Sequence, residues 1–228
     1  METLKKCSIS MSDRAVERLR KIDTCAVSDA LDALGLKGTV MGLGTISVLK
    51  RIAGRVQTVK LGKANPDIPK KHLCSSAVDA ANPGDIIVVE NHATEIAAGW
   101  GGILSKAAAA KGLSGTIVDG PARDADESAD VDYPVFAKAA TPFTARGRIA
   151  EHDWNIEIEV GGVAVNPGDL VLADGSGIVF LPNDRADEII EKAEEIQAKE
   201  AAMAAAVQAG KPVSDVMGGD YENMLVSK

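Results

Sequence analysis

One four-residue turn occurs twice in this chain, each time followed by a short apolar run. Asn82-Pro83-Gly84-Asp85 leads into Ile86-Ile87-Val88-Val89, and Asn166-Pro167-Gly168-Asp169 into Leu170-Val171-Leu172-Ala173. Proline fixes φ and glycine accepts a positive φ, so Pro-Gly suits the two central positions of a type II turn. Each turn therefore launches a buried strand. Two such units imply a layered fold, and nothing recurs at the short fixed period of a solenoid.

Other segments fill in an α/β architecture. Ser12 is placed to cap a helix with Val16, Leu19 and Ile22 on one face. Thr24 is placed to cap a second, with Val27, Ala30, Leu31 and Leu34 inside and Gly35 ending it. Strand-like runs cover residues 45–49 and 54–61 after a glycine-rich stretch (Gly38, Gly42, Gly44). Residues 62–72, with Pro66 and Pro69, read as a loop. Residues 103–111 read as a helix closed by Gly112. Short strands follow at 116–118 and 133–137, then a hairpin over 156–165 around Gly161-Gly162, and a last strand at 177–181. From Asn183 or Asp184 onward Ile189, Ile190, Ala193, Ile196 and Met203 form a helical stripe, with Glu188/Lys192 and Glu195/Lys199 at i,i+4 spacing. Residues 1–185 are expected to form the main domain. Residues 186–228 are expected to form a C-terminal helix and tail packing on the same or a neighbouring subunit, with 201–209 only weakly amphipathic.

Composition narrows the function classes. Aromatic residues make up only 3% of the chain, so the core must be built from Val, Ile, Leu and Ala. The net charge of −8 argues against non-specific nucleic-acid binding, and an anionic substrate would need a local cation. Cys7, Cys25 and Cys74 are too few and too scattered for a disulfide framework and read as buried or incidental thiols. Residues 1–10 lack an apolar leader, and no run approaches the ~20 apolar residues of a membrane span, so a cytoplasmic protein without a membrane partner is expected.

The chemistry concentrates in the middle of the chain. Gly99-Trp100-Gly101-Gly102-Ile103-Leu104 opens a helix, where unpaired amides and the positive end of the dipole favour an anion and glycine permits close approach. Arg123-Asp124 follow the strand end and turn at residues 118–122. Arginine makes forked contacts with carboxylates, and aspartate is a hard oxygen ligand for Mg²⁺ or Mn²⁺. A bare Arg-Asp surface pair would contribute only ~0–1 kcal/mol. Asp126 and Glu127 extend the acidic set, or belong to a solvated charge run over 124–130. His72, His92 and His152 have no zinc-site spacing, and Lys106 and Lys111 look solvated. Gly42-x-Gly44 is not a dinucleotide fingerprint, and no loop suggests a methyl-donor cofactor.

The run from Trp100 to Leu104, with Lys111-Gly112-Leu113-Ser114-Gly115-Thr116-Ile117-Val118-Asp119-Gly120 and Arg123-Asp124, resembles the RraA-like proteins. The likeness extends over most of residues 20–182. That family joins regulators of ribonuclease E activity to class II pyruvate aldolases acting on 4-hydroxy-4-methyl-2-oxoglutarate and 4-carboxy-4-hydroxy-2-oxoadipate. The resemblance implies a swivelling β/β/α layered domain with N-terminal helices and a C-terminal helix, assembled as a trimer or hexamer. It implies that the backbone of Gly101, Gly102, Ile103 and Leu104 binds a pyruvyl carboxylate, that Arg123 contacts substrate and that Asp124 holds Mg²⁺ or Mn²⁺. Glu127 matches an acidic position of the aldolase branch. Gly102 departs from it, because many aldolase members carry Asp or Glu there. Glu95, or Asp220 or Glu222 of a neighbouring subunit, could substitute.

The expectation is a metal-dependent lyase that cleaves a 4-hydroxy-2-oxo acid to release pyruvate, or decarboxylates oxaloacetate, with Arg123, Asp124 and Glu127 as its catalytic residues. The other reading is a non-catalytic regulator that binds a ribonuclease.

Overall fold

The computed structural model describes residues 11–218 apart from 66, 69 and 70, with side chains from residue 14 onward. Cys7, Pro66, Pro69, Asp220, Glu222 and the side chain of Ser12 lie outside the described residues, as does the tail beyond residue 218.

Helices α1 (Met11–Leu19) and α2 (Thr24–Ala33) precede two very short strands, β1 (Thr39–Val40) and β2 (Gly44–Thr45). A long strand β3 (Ile52–Lys63) then leads into three successive strand–helix units: α3 (Ser75–Ala80) to β4 (Ile86–Glu90), α4 (Gly102–Lys111) to β5 (Gly115–Ala122), and α5 (Ala125–Asp130) to β6 (Val135–Ala140). Next come β7 (Ile149–Trp154), the hairpin of β8 (Ile158–Val160) and β9 (Val163–Val165), β10 (Leu170–Ala173) and β11 (Ile178–Leu181). A 3₁₀ turn (Asn183–Arg185), the long helix α6 (Ala186–Gln208) and the short α7 (Val213–Val216) end the described chain. The main sheet has nine strands, ordered β1-β11-β10-β3-β4-β5-β6-β2, with β7 also paired to β3. Strands β3 to β6 are parallel, and the flanking pairs are antiparallel.

Alternation along each strand builds three apolar layers. Ile87, Val89 and Val118 face α3 and α4, together with Trp100 and Tyr133. Leu170, Leu172, Val179 and Leu181 face α1, α2 and α6. Ile86, Val88, Ile117, Val171 and Phe180 face the other way, where Ile158, Val160 and Val165 of the hairpin cover them. Helices on one face and a small second sheet on the other give the expected layered α/β fold. The first half of α6 packs in the same core as α1 and α2, and Arg18 of α1 grips Glu194 through Nε (2.9 Å) and Nη2 (2.7 Å).

Both Asn-Pro-Gly-Asp turns form as expected. Gly84 has φ +90° and Gly168 φ +87°, and Asp85 N–H and Asp169 N–H close back on the carbonyls of Asn82 (3.0 Å) and Asn166 (3.1 Å). In each, the aspartate also accepts from the asparagine N–H at 2.8 Å. The hairpin glycines Gly161 and Gly162 have φ +55° and +82°, as a tight hairpin turn needs.

Several boundaries differ from the sequence reading. Asp23, not Thr24, caps α2: its side chain accepts from Ala26 N–H, while the Thr24 hydroxyl donates to Asp174 (2.7 Å). The strand expected over 45–49 ends at Thr45. Ser47 Oγ instead donates to Tyr133 O and accepts from Val135 N–H, so side-chain hydrogen bonds replace the ladder. Strand β5 runs on through Gly120-Pro121 because a register shift between Val118 and Pro121 accommodates a residue without an N–H. Strand β7 and helices α3 and α5 were not anticipated. Along the start of α6, Arg185 holds Glu188 and Lys192 lies against Glu195, both i,i+3 pairs. Cys25 is exposed and Cys74 buried, both as free thiols. No described helix is long and apolar enough to cross a membrane.

Candidate active site

The C-terminal ends of β4 and β5, where open α/β sheets place their sites, meet the N-terminus of α4. Arg123 N–H donates to Trp100 O (3.0 Å), which ties the end of β5 to the residue before the glycine pair. Asp124 follows with φ 57° and ψ 44°, a left-handed conformation that costs a residue with a Cβ about 1 kcal/mol or more. That conformation turns its side chain back toward α4 instead of over α5, which begins one residue later. Asp124 Oδ2 accepts from Gly102 N–H at 2.9 Å, and both carboxylate oxygens lie 3.1 Å from Arg123 Nε.

Each of the two glycines makes room for one carboxylate. A Cβ on Gly101 would stand 2.9 Å from Asp124 Oδ2. One on Gly102 would stand 2.5 Å from Glu127 Oε2 and 3.0 Å from Glu127 Cβ. At both positions an added side chain would have to displace a carboxylate, and neither glycine has a positive φ. Glu127, from the first turn of α5, also accepts from Lys106 Nζ (2.6 Å), one turn into α4. Lys106, expected to be solvated, thus joins the site. Its hydrogen bond to Glu127, followed by weaker attraction from Glu127, Asp130 and Asp124, holds its ammonium above the ordinary lysine range, so it stays charged.

A chain of buried hydroxyls fixes α4 against α5. Trp100 Nε1 donates to Ser105 Oγ (2.8 Å), Ser105 Oγ and Ser128 Oγ share a 2.8 Å hydrogen bond, and Ser128 Oγ reaches Asp124 O at 3.1 Å. The sequence reading missed both serines. The only signal for Ser105 is a hydroxyl in an Ala-rich helix, and Ser128 sits unmarked in an acidic one.

The structure brings Gly101, Gly102, Arg123, Asp124 and Glu127 together. Because Gly102 N–H is committed to Asp124, the amides of Ile103 and Leu104 are the ones left without an acceptor among the described residues. Among the described residues Arg123 uses only Nε, which leaves its terminal nitrogens to form a forked contact. Asp126 and Glu95 are exposed, without an ion-pair partner among the described residues.

Among the described residues no three His, Cys, Asp or Glu side chains cluster closely enough to enclose a metal ion. The donor set still fits one kind of ion. A partly exposed Asp124 carboxylate with Glu127 across Gly102 offers hard oxygens and room for water, as suits Mg²⁺ or Mn²⁺ holding most of its hydration shell. It does not suit zinc, which would demand a closed nitrogen or sulfur set.

A second polar cluster lies on the hairpin face of the sheet. Lys60, Glu90 and Asp119 occupy paired positions across β3, β4 and β5, and Lys138 continues the row on β6. Lys60 Nζ lies 3.0 Å from Glu90, and Lys138 Nζ lies 2.5 Å from Asp119 Oδ1. The two carboxylates also tether the hairpin: Glu90 accepts from Glu159 N–H and Asp119 from Gly161 N–H, both at 2.8 Å. His92 Nε2 completes the set, 2.5 Å from Asp119 Oδ2. Burial pushes the Asp119 carboxyl up, but the contacts from Lys138, His92 and Gly161 outweigh it and leave it below the ordinary aspartate value. An acid directly after an apolar strand run is the sequence signal for both Glu90 and Asp119.

Fold and site together define a layered α/β protein whose parallel strands end at an open helix N-terminus furnished with one forked cation and two carboxylates. The chain belongs to the RraA-like family: the Aldolase/RraA profile matches residues 24–180. Among curated relatives it is 27% identical to protein DlpA of Legionella pneumophila over 86% of this chain, although it spans only 32% of the length of DlpA. It is 28% identical to a protein of Halalkalibacterium halodurans named putative 4-hydroxy-4-methyl-2-oxoglutarate aldolase, over 84% of this chain and 88% of that one. Among solved structures, an uncharacterised protein from Pseudomonas syringae superposes with a TM-score of 0.82 at 27% identity, covering 94% of this chain and 97% of that chain.

Proposed function

We propose that this chain is a class II, divalent-metal-dependent lyase that cleaves a C–C bond of a 4-hydroxy-2-oxo acid to release pyruvate, and that decarboxylates oxaloacetate through the same enolate. The observation that carries the reading is the return of Asp124 onto Gly102 N–H, with Arg123 on one side and Glu127 on the other. The amides of Ile103 and Leu104 and the free end of Arg123 would bind the 2-oxo carboxylate. Asp124 would hold Mg²⁺ or Mn²⁺, and the bound ion supplies fixed positive charge that stabilises the enolate. Glu127 faces the same space and would take the C4 hydroxyl proton, directly or through one water. As that proton leaves, the C3–C4 bond breaks, its electron pair becomes the enolate, and protonation at C3 gives pyruvate. Arg123 would offset the enolate charge in a preorganised site. The aldolase name of the Halalkalibacterium halodurans relative and the Arg-Asp-x-x-Glu spacing support the same chemistry. We extend the proposal to a homo-oligomer, trimer or hexamer, in the cytoplasm.

The test is pyruvate release, coupled to lactate dehydrogenase, from oxaloacetate and a set of 4-hydroxy-2-oxo acids, with Mg²⁺ or Mn²⁺ and with EDTA. Turnover that EDTA abolishes and Asp124→Ala lacks supports the proposal. Equal rates in the wild type and Asp124→Ala would sink it. Recovery of a ribonuclease in a pull-down, with no metal-stimulated turnover, would support a regulator instead.

A further inference from the structure

Among the described residues Lys106 is the one cation on the α4 side of this site, and nothing in the Arg-Asp-x-x-Glu spacing calls for it. Three observations bear on its role. First, its ammonium meets Glu127 Oε2 at 2.6 Å, although the two side chains are 53% and 48% exposed and belong to different helices. Second, Glu127 rests on bare backbone: Gly102 lacks the side chain whose Cβ would collide with Glu127 Oε2, Cδ and Cβ. Third, the helices that carry the two residues are locked together beneath them by the buried Ser105–Ser128 hydrogen bond, so the distance between their backbones is fixed. An exposed glutamate on a six-residue helix would ordinarily sample several rotamers in water. Here one rotamer is selected from two directions, by an ammonium at its tip and by a vacant volume beneath its stem.

We propose that Lys106 is a positioning residue of this site. It acts through Glu127, holding that carboxylate over the bare backbone of Gly102. As a statement about catalysis this rests on the lyase reading above. As a statement about where Glu127 sits, it stands alone. An isolated exposed ion pair contributes little to stability, so removing Lys106 should leave the fold intact and change only the placement of Glu127.

The test is a double-mutant cycle with a structural readout. Lys106→Ala and Gly102→Ala are each expected to lower kcat about tenfold, with KM changed less than twofold and an unchanged thermal midpoint. Lys106→Arg is expected to recover most of the loss. Lys106→Ala placed on Glu127→Ala is expected to cost nothing further, because a residue that acts only through another is silent once the other is gone. Losses that multiply in the double variant would overturn the proposal, since Lys106 would then act on the substrate directly. Crystal structures of metal-free Lys106→Ala and Gly102→Ala decide the matter even if no substrate is turned over. Glu127 displaced from residue 102 in both supports the proposal, and Glu127 unmoved in Lys106→Ala overturns it. Absence of turnover in the wild type would count against the lyase reading alone.

Discussion

The carboxylate of Glu127 occupies the volume that a side chain on Gly102 would need, with Oε2 2.5 Å from where that Cβ would stand. The two residues lie on different helices and 25 positions apart in sequence, yet no side chain can be added at 102 without moving Glu127. Glycine at 102 is therefore half of a packed pair. A first expected outcome follows at this position. Gly102→Asp should weaken binding of Mn²⁺, measured by calorimetry, because the new carboxylate displaces Glu127 instead of adding to it. Gly102→Asp combined with Glu127→Ala should bind Mn²⁺ more tightly than Gly102→Asp alone. The same or weaker binding in the double variant would contradict the shared volume.

Asp124 trades stability for placement. Its left-handed backbone is strained for any residue with a Cβ, and glycine would relieve that strain. Asp124→Gly also loses the Gly102 and Arg123 contacts, so the two effects oppose each other. The expected net change in unfolding free energy is within about 1 kcal/mol by urea titration. Pyruvate release should nevertheless fall by about a hundredfold or more. A variant that kept its activity would remove Asp124 from the mechanism.

Ser105→Ala should be costly well beyond the size of one hydroxyl. It strips the partner from the buried Trp100 indole N–H and leaves Ser128 Oγ only Asp124 O. A buried donor without a partner costs about 1–3 kcal/mol, and the midpoint of urea unfolding should fall accordingly with an unchanged slope. Ser105→Thr, which keeps the hydroxyl, should restore part of the loss if the added methyl fits.

Acid sensitivity should trace in part to Asp119. Its carboxyl lies below the ordinary value in the folded protein. Its stabilising contribution is therefore complete above the unfolded-chain value, near 3.9, and is lost as pH falls through the lower folded value. Asp119→Asn should be less stable than the wild type at pH 7, by roughly 1–2 kcal/mol, because half-exposed Lys138 and His92 regain water when they lose the carboxylate. The gap should narrow below about pH 4, as the wild type loses what the variant never had. Thermal midpoints measured from pH 7 to pH 3 would show it, and a gap that stayed constant would mean that Asp119 does not carry the effect.

What the sequence made legible is what local chemistry decides. The Pro-Gly turns, the Gly112 stop of α4 and the Gly161-Gly162 hairpin follow from φ requirements that no distant residue can alter. The stripe on α6 follows from periodicity alone. Errors arose where a distant partner overrode a local preference. Thr24 has the chemistry of a helix cap, but Asp174 claims its hydroxyl and Asp23 takes the role. Gly120-Pro121 looks like the end of a strand, yet β6 keeps pairing through it. Strand β7 is too polar to stand out, because Glu151 is buried only by pairing with Lys71 and the Cys74 N–H. At the site, Arg123, Asp124 and Glu127 were visible as an unusual spacing. The roles of Ser105, Lys106 and Ser128 were not, since each depends on how α4 meets α5.

The two Asn-Pro-Gly-Asp turns converge on a single stretch of β3. Gly168 N–H donates to Val56 O, Val56 N–H donates to Asp169 O, and a Cβ on Gly54 would collide with Gly84 O. That end of the molecule is fixed by the positive φ of Gly84 and Gly168 and by the bonds to β3, whereas the segments after β4 and β6, residues 92–99 and 141–147, run over the opposite end beside the site. New specificities are thus expected to evolve by rewriting those two loops while the turn end stays fixed. Libraries randomised at 94–96 or 141–147, outside the buried Ala97 and Ala98, should yield mostly folded proteins, and libraries randomised at 82–85 or 166–169 mostly unfolded ones.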